Sequence, residues 1–402
     1  MSAPLDTFRS AKHSGRAGID CDVAVVGAGL VGAAIAVGLH RRGLRVRLLD
    51  RGLAAEPDDD YDLRVYAISP ASARFLDDIG VWNAIAAERA CPYTHMQVWE
   101  LQPEAALHFD ASDVRLPMLG HIVESRVIQR HLLAALPAGI LREGAAVAAC
   151  EFEDEVATLK LERGSALRAS LIVAADSARS PLREACGIEV LRHSYEQTAV
   201  VCHVRTERPH SATAYQRFLE TGPLALLPLA DGRSSIVWSS TEAAALMEMS
   251  DAAFCEVLGA ASQHVLGRVL DCTRRVSFPL ALQQAQEYVQ PRFALAGDAA
   301  HVVHPLAGQG VNLGFGDAQC LVETLADAQR DRRDIGGLRV LHRYERARKA
   351  AVAEMLAVTD GLYRAYQIQQ PTWTWIRQQG LALVGQADPL RQALVRRACG
   401  LD

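Results

Sequence analysis

Apolar positions along this chain change their period several times, and each change marks an element. Asp22–Val26 is a short apolar run of the length of a buried strand. Leu30–Arg41 spaces its apolar residues as a helix that ends near Gly43, and Val46–Leu49 is apolar again and closes on Asp50. Together these predict one strand–helix–strand unit. A polar stretch, Glu56–Asp62, follows, and Leu63–Trp82 ends in a helix-like pattern. Glu100–Leu119 has mixed strand character with no firm period, and Val123–Leu136 predicts a helix. Leu171–Asp176 and Phe293–Ala296 each read as a buried strand, and a long helical pattern follows Gly310.

Between about residues 188 and 289 the texture differs. Thr198–Val204, Ala225–Leu229 and Ser235–Ser239 alternate as half-buried strands do, which predicts a β-rich insertion. No internal repeat or low-complexity linker interrupts the chain. The expected organisation is a discontinuous α/β dinucleotide-binding domain (residues 21–85, 118–187 and 290–345) with a β-rich domain set into it (86–117 and 188–289). A helical C-terminal region (346–402) and a loose N-terminal tail (1–20) complete it.

The glycines decide what the first unit is for. Gly27, Gly29 and Gly32 form a G-x-G-x-x-G turn between strand and helix. In that context Gly27 permits the tight turn, Gly29 lets the backbone approach a pyrophosphate, and Gly32 allows close helix–strand packing, with the phosphates at the positive end of the helix. Asp50, about 20 residues on at the end of the second strand, can take the ribose hydroxyls of an adenosine half. A second motif starts at Gly297-Asp298-Ala299-Ala300-His301 and runs through Pro305 and Gly308-Gln309-Gly310-Val311-Asn312 to Gly314. There Asp298 can reach a ribityl or ribose hydroxyl, and the helix opening at Gly308–Gly310 offers N–H groups and a positive dipole end. Such a helix start favours the negative charge of a reduced flavin.

Composition narrows the classes. With 402 residues, half of them hydrophobic and 22% charged, the chain is expected to be globular with two or three structural units. A net charge of −5 offers no general attraction for nucleic acid. Nine dispersed cysteines without C-x-x-C spacing, and first residues without an apolar core, predict reduced thiols in the cytoplasm. Cys186, Cys202 and Cys272 lie in apolar neighbourhoods and read as small core residues. His301 and His304 are three apart but lack a third ligand, so no metal is expected. Ser180, Ser194 and Ser239 lack the context of an activated nucleophile. From Leu362 to Asp402 five arginines face two aspartates, with Tyr363, Tyr366, Trp373, Trp375 and Ile376 among them. This segment fits either an anionic membrane surface or an ordinary terminal helix.

The motif set resembles the class A flavoprotein aromatic hydroxylases, and within them the ubiquinone-biosynthesis hydroxylases. The similarity runs from about residue 20 to 401. Its most specific pieces are Leu63–Ser69, Leu119–Glu124, Leu227–Leu229, Ser235–Ser239, Gly297–Gly314 and Arg343–Arg346. The resemblance implies a doubly wound FAD-binding domain like those of glutathione reductase and p-hydroxybenzoate hydroxylase, with the β-rich insertion holding substrate. It implies FAD as cofactor, NAD(P)H as reductant and O2 as co-substrate, acting through a flavin C4a-hydroperoxide on a polyprenylated phenol or quinol. The implied ring position is C5-type, from Gly120–Glu124 and His304-Pro305, with C6-type as the alternative, from Cys91–Tyr93 and Tyr288–Pro291.

By the same resemblance, Gly27, Gly29, Gly32, Asp50 and Arg64 should contact the adenosine–pyrophosphate half of FAD. Asp298, Pro305 and Gly308–Asn312 should contact the ribityl chain and ring, and Arg126, beside Ser125, lends a side chain to the flavin. The middle motif departs from the family: Asp176-Ser177-Ala178-Arg179-Ser180 carries serine where glycine is usual, adding a Cβ where positive φ is expected. Asp176 and Arg179 of that motif remain. His203, Tyr215 and Trp238 fall in the presumed substrate sheet, with core packing the preferred role for each, and no side chain stands out as catalytic base. Peripheral contact with the inner face of the cell membrane and with other ubiquinone-biosynthesis proteins is compatible with this picture. A hydroxylase of a small soluble aromatic and a non-catalytic flavin scaffold are the competing readings.

Overall fold

The computed structural model describes residues 18–53, 61–102, 106–303 and 310–367, with 392, 393, 395–397, 399 and 400 near the end. Its first layer is a sheet in the order Val289–Gln290, Phe293–Leu295, Leu167–Ala174, Cys21–Val26, Val46–Leu49, Leu141–Arg142. Cys21–Val26 lies in the middle, parallel to both neighbours, and every residue but Asp22 is buried. Strands covered on both faces read as unbroken apolar runs, which is why this one was visible in the sequence. Leu30–Arg41 packs against Gly310–Arg330, so the two glycine-rich motifs meet although they are far apart in the chain.

A nine-stranded sheet forms the second layer, in the order His301–Val302, Val276–Ala285, Val190–Thr206, Ser234–Ser240, Gly222–Pro228, Thr213–Leu219, His95–Trp99, Leu107–Asp110, with Val269–Cys272 paired to Val190–Thr206. Helices Ala243–Glu248 and Asp251–Ala261 cover one face. There Val200, Cys202, Val204, Leu224, Leu226, Ile236 and Trp238 pack with Phe254 and Leu258. These helices inside the β-rich stretch were not expected. Ser250, whose hydroxyl accepts from Ala253 N at 3.3 Å, is the cap signal that marks the second of them.

One local expectation changes, and two further segments take definite form. Val123 and Glu124 end the strand Gly120–Glu124, and the helix runs Ser125–Ala134 instead of starting at Val123. The β-branched pair Ile122-Val123 registers with Ala67 and Tyr66 across a three-stranded sheet, so pairing overrides the helical pattern. Within Glu100–Leu119 the structure forms a strand, Leu107–Asp110, and a 3-10 turn, Ala111–Val114. The terminal helix Leu338–Gln367 passes through residue 346 without a break. Cys186 and Cys202 are buried as expected, and Cys272 is half-buried. No described helix is long and apolar enough to cross a membrane.

Candidate functional site

The glycine turn assigns each glycine a distinct reason. Gly27 has φ +103°, and a Cβ there would lie 2.2 Å from the carbonyl oxygen of Ala175. At Gly32 a Cβ would meet the Gly27 oxygen at 1.9 Å, so the helix approaches the turn too closely for any side chain. At Gly29 a Cβ would meet nothing within 4 Å. That position therefore guards open space, as backbone approach to a ligand requires. Asp50 organises the turn: Oδ2 accepts from Ala28 N at 2.7 Å and Oδ1 from Gly52 N at 2.8 Å. Gln129, which sequence reasoning missed, donates from Nε2 to Ala28 O at 2.7 Å.

Opposite stands the Gly297–His301 turn. Gly297 has φ +61°, and Asp298 follows it into the cavity, open to its space but enclosed by its walls. That enclosure raises the carboxyl pKa of Asp298, with the charges of His301 and Arg64 opposing the rise. Behind the turn Asp317 is fully buried. Its Oδ2 accepts from Gly297 N at 2.9 Å and contacts His301 Nε2 at 2.6 Å, while Oδ1 accepts from Arg348 Nε at 2.6 Å. Burial alone would raise the Asp317 pKa, yet the charges of His301 and Arg348 overcome it and hold the carboxyl below its ordinary range. His301 is thus engaged by a carboxylate, and the described residues contain no cluster of three metal-ligating side chains.

Asn312 sits in the first turn of the helix Gly310–Arg330, but its amide is committed elsewhere. Nδ2 donates to Ala67 O at 2.7 Å and Oδ1 accepts from Ser69 N at 3.0 Å. The backbone N–H groups of that turn are what remain for a ligand. Arg126 donates from Nε to Glu124 Oε2 at 3.2 Å, and the same oxygen takes Asp62 N at 2.6 Å. Glu124, buried and also 3.1 Å from Arg89, ends a motif noted in the sequence but is given no role of its own there. His203 contacts Asp62 O through Nε2 at 3.1 Å, and Trp238 packs in the helix-side core.

Ser177 has φ +81°, the conformation expected at a glycine position. Ser180 caps the short helix Pro181–Ala185 by accepting from Arg183 N at 3.0 Å, and burial raises the pKa of Asp176. A non-glycine residue at positive φ costs about 1–3 kcal/mol, partly offset because glycine gains about 0.4–1 kcal/mol of unfolded-state freedom. Ser177→Gly is therefore expected to leave stability unchanged or raise it by about 1 kcal/mol in thermal or urea unfolding. The rate of flavin reduction by NAD(P)H should stay within about tenfold of the parent; a larger gain would mark Ser177 as impairing.

Gly27, Gly29, Asp50, Arg64, Arg126, Asp176, Asp298, Gly310, Val311 and Asn312 all border one continuous cavity of about 2130 Å³. Gly32 packs behind it, and Pro305, Gly308, Gln309 and His304 lie outside the described residues. On the far side the cavity meets the face of the nine-stranded sheet opposite those two helices, including Val201, Leu227, Val237 and Leu280. The donor set fits a flavin dinucleotide. A side-chain-free approach at Gly29 lies beside Asp50, a second carboxylate stands at Asp298, and a helix start borders the space between cofactor turn and sheet.

Comparison with known proteins agrees with this geometry. The family described as FAD binding domain matches residues 20–359. The Escherichia coli (strain K12) protein 3-demethoxyubiquinol 3-hydroxylase is 35% identical over 390 residues, covering 94% of this chain and 98% of that protein. Human ubiquinone biosynthesis monooxygenase COQ6, mitochondrial, is 35% identical over 429 residues, covering 93% of this chain and 91% of that protein. Among solved structures, p-nitrophenol 4-monooxygenase PnpA from Pseudomonas putida DLL-E4 superposes with a TM-score of 0.76 at 19% identity, covering 94% of this chain and 96% of that one. Klebsiella pneumoniae HpxO, solved with FAD and uric acid, gives the same TM-score, identity and coverage. At those identities the two structures speak for the fold.

Proposed function

Because this chain belongs to the FAD binding domain family, in its branch of ubiquinone-biosynthesis hydroxylases, we propose that it hydroxylates the ring of a polyprenylated phenol, at the C5-type position. The observation that carries the reading is the single cavity joining the cofactor turns to an apolar sheet face. When bound, FAD takes electrons from NAD(P)H and activates O2 for transfer of one oxygen atom. Gly27–Gly32 and Asp50 would hold the adenosine–pyrophosphate half, with Arg64 adding positive charge. Asp298 would take the ribityl hydroxyls, and the first turn from Gly310 would stabilise negative charge on the reduced ring. The apolar sheet wall keeps water from the reacting centre and accepts a lipid-like substrate.

The Escherichia coli relative is named for 3-demethoxyubiquinol, which keeps the C6-type position as the alternative. We place the chain in the cytoplasm, with peripheral contact at the membrane where a polyprenylated substrate resides. Cells lacking each ubiquinone hydroxylase in turn decide the position. Expression of this chain should restore ubiquinone in the strain lacking the C5 hydroxylase, read by mass spectrometry of the quinones. Rescue of the C6 strain alone would move the assignment, and rescue of none, with FAD bound to the purified protein, would reject it.

A further inference from the structure

On the substrate side of the cavity, Gln216 presents a hydrogen-bonding side chain that no other described residue uses. Along Thr213–Leu219 burial alternates, as it does when a strand separates two environments. Tyr215 and Leu219 pack with the helix-side core, and Arg217 reaches the carbonyls of Glu100 and Ala261. Ala214, Gln216 and Phe218 point the other way and border the cavity. Tyr215 also touches the cavity, yet its ring packs edge-on against Trp99 at 6.5 Å, on the helix side.

Gln216 is only 6% exposed, and among the described residues its amide has no hydrogen-bond partner. Its neighbours in the register are apolar: Val98 on one strand and Ala225 on the other, with Val201, Leu227 and Val237 on the same wall. Other polar residues on this face, His203, Gln197 and Ser235, do not border the cavity. His203 is held by Asp62 O, and Gln197 donates to Thr221 O. An amide that faces an enclosed apolar cavity without a partner in the protein wall is a group that a bound ligand can complete.

Resting on the substrate reading above, we propose that Gln216 is a positioning residue that binds the phenolic oxygen of the substrate ring. Its Oε1 accepts from the phenol O–H, and its Nε2 can donate to the same oxygen when the proton is lost. A neutral amide neither takes nor gives a proton in the working pH range, so its role is to set the ring's orientation and to select oxygenated rings. A site built to hydrogen-bond a hydroxyl rejects the analogue lacking it far more strongly than an apolar pocket does.

The test compares FAD-loaded wild type with Gln216→Met, a variant of similar volume without hydrogen-bonding groups. The paired substrates are ortho-geranylphenol and its methyl ether. The readouts are kcat/KM for hydroxylated product, the hydrogen peroxide released per NAD(P)H oxidised, FAD content and thermal midpoint. Misplaced substrate diverts turnover to the balanced side reaction NAD(P)H + H+ + O2 giving NAD(P)+ and H2O2. For the phenol, kcat/KM is expected to fall by about tenfold to a hundredfold, mainly through KM. Peroxide yield should rise, the preference for phenol over ether should vanish, and the thermal midpoint should hold or increase with FAD content unchanged. An unaltered phenol preference, or a lowered midpoint with loss of FAD, would overturn the proposal in favour of a packing role. If wild type turns over the phenol and the variant matches it, Gln216 alone is refuted. If wild type hydroxylates no prenylphenol, the substrate reading fails and this proposal with it.

Discussion

Asp317→Ala is expected to destabilise the folded chain by about 3–5 kcal/mol, because it leaves buried His301 and half-buried Arg348 without their shared counter-charge. Urea unfolding followed by circular dichroism measures it. The loss should extend to the cofactor, since the same carboxylate holds Gly297 N and so the turn that carries Asp298. FAD retained on gel filtration is the second readout. Asp317→Asn keeps the size and an acceptor but not the charge, and should fall between the two. Parent-like unfolding of the alanine variant would show that the ion cluster contributes nothing net, an outcome known for some buried pairs.

The same group sets an acid limit. Its folded pKa lies below the ordinary value of 3.8, so the unfolded chain binds the proton more tightly. The contribution is complete above the unfolded pKa and is lost as pH falls through the folded one. Wild type should therefore lose stability below about pH 4 more steeply than Asp317→Asn does. Parallel acid profiles for the two proteins would contradict this.

Substitutions at Gly29 and Gly27 should separate cofactor binding from folding. A Cβ at Gly29 enters open space, and its backbone, at φ −68° and ψ −177°, suits any residue. Gly29→Val should unfold within about 0.5 kcal/mol of the parent, as surface changes usually do, yet lose FAD affinity by at least about a hundredfold, equivalent to 2.7 kcal/mol. Gly27→Ala meets the opposite situation, with positive φ and the Ala175 carbonyl at 2.2 Å. It should destabilise the protein itself by about 2–4 kcal/mol, so that FAD is lost through the fold. Titration of apoprotein with FAD by fluorescence quenching, alongside thermal unfolding, distinguishes the two. Gly29→Val with parent-like affinity would remove the pyrophosphate from this turn.

Ser177 and Gly27 illustrate how far local sequence reaches. The family's glycine at residue 177 foretold a left-handed backbone there, and the serine adopts φ +81° all the same. The surrounding turn, with Ser180 capping the next helix, dictates the conformation that the residue must accept.

The amino-acid sequence by itself determined the first strand–helix–strand unit, with its helix at Leu30–Arg41, the glycine turns at Gly27–Gly32 and Gly297–Asp298, and the family. Those features are short-range: apolar period, glycine placement and a carboxylate at a strand end are all written within a few tens of residues. Tertiary structure alone decided that Gly120–Glu124 is a strand continuing to Glu124, since its partner is Val65–Ile68. It also brought Gln129 to Ala28, 101 residues away, and Arg348 to Asp317, 31 residues away. Alternation along Thr213–Leu219 could say that Gln216 shares a face with Ala214 and Phe218, but not which face the helices Ala243–Glu248 and Asp251–Ala261 would cover. A period of two defines two sides of a strand, and only packing chooses which of them becomes the wall of a cavity.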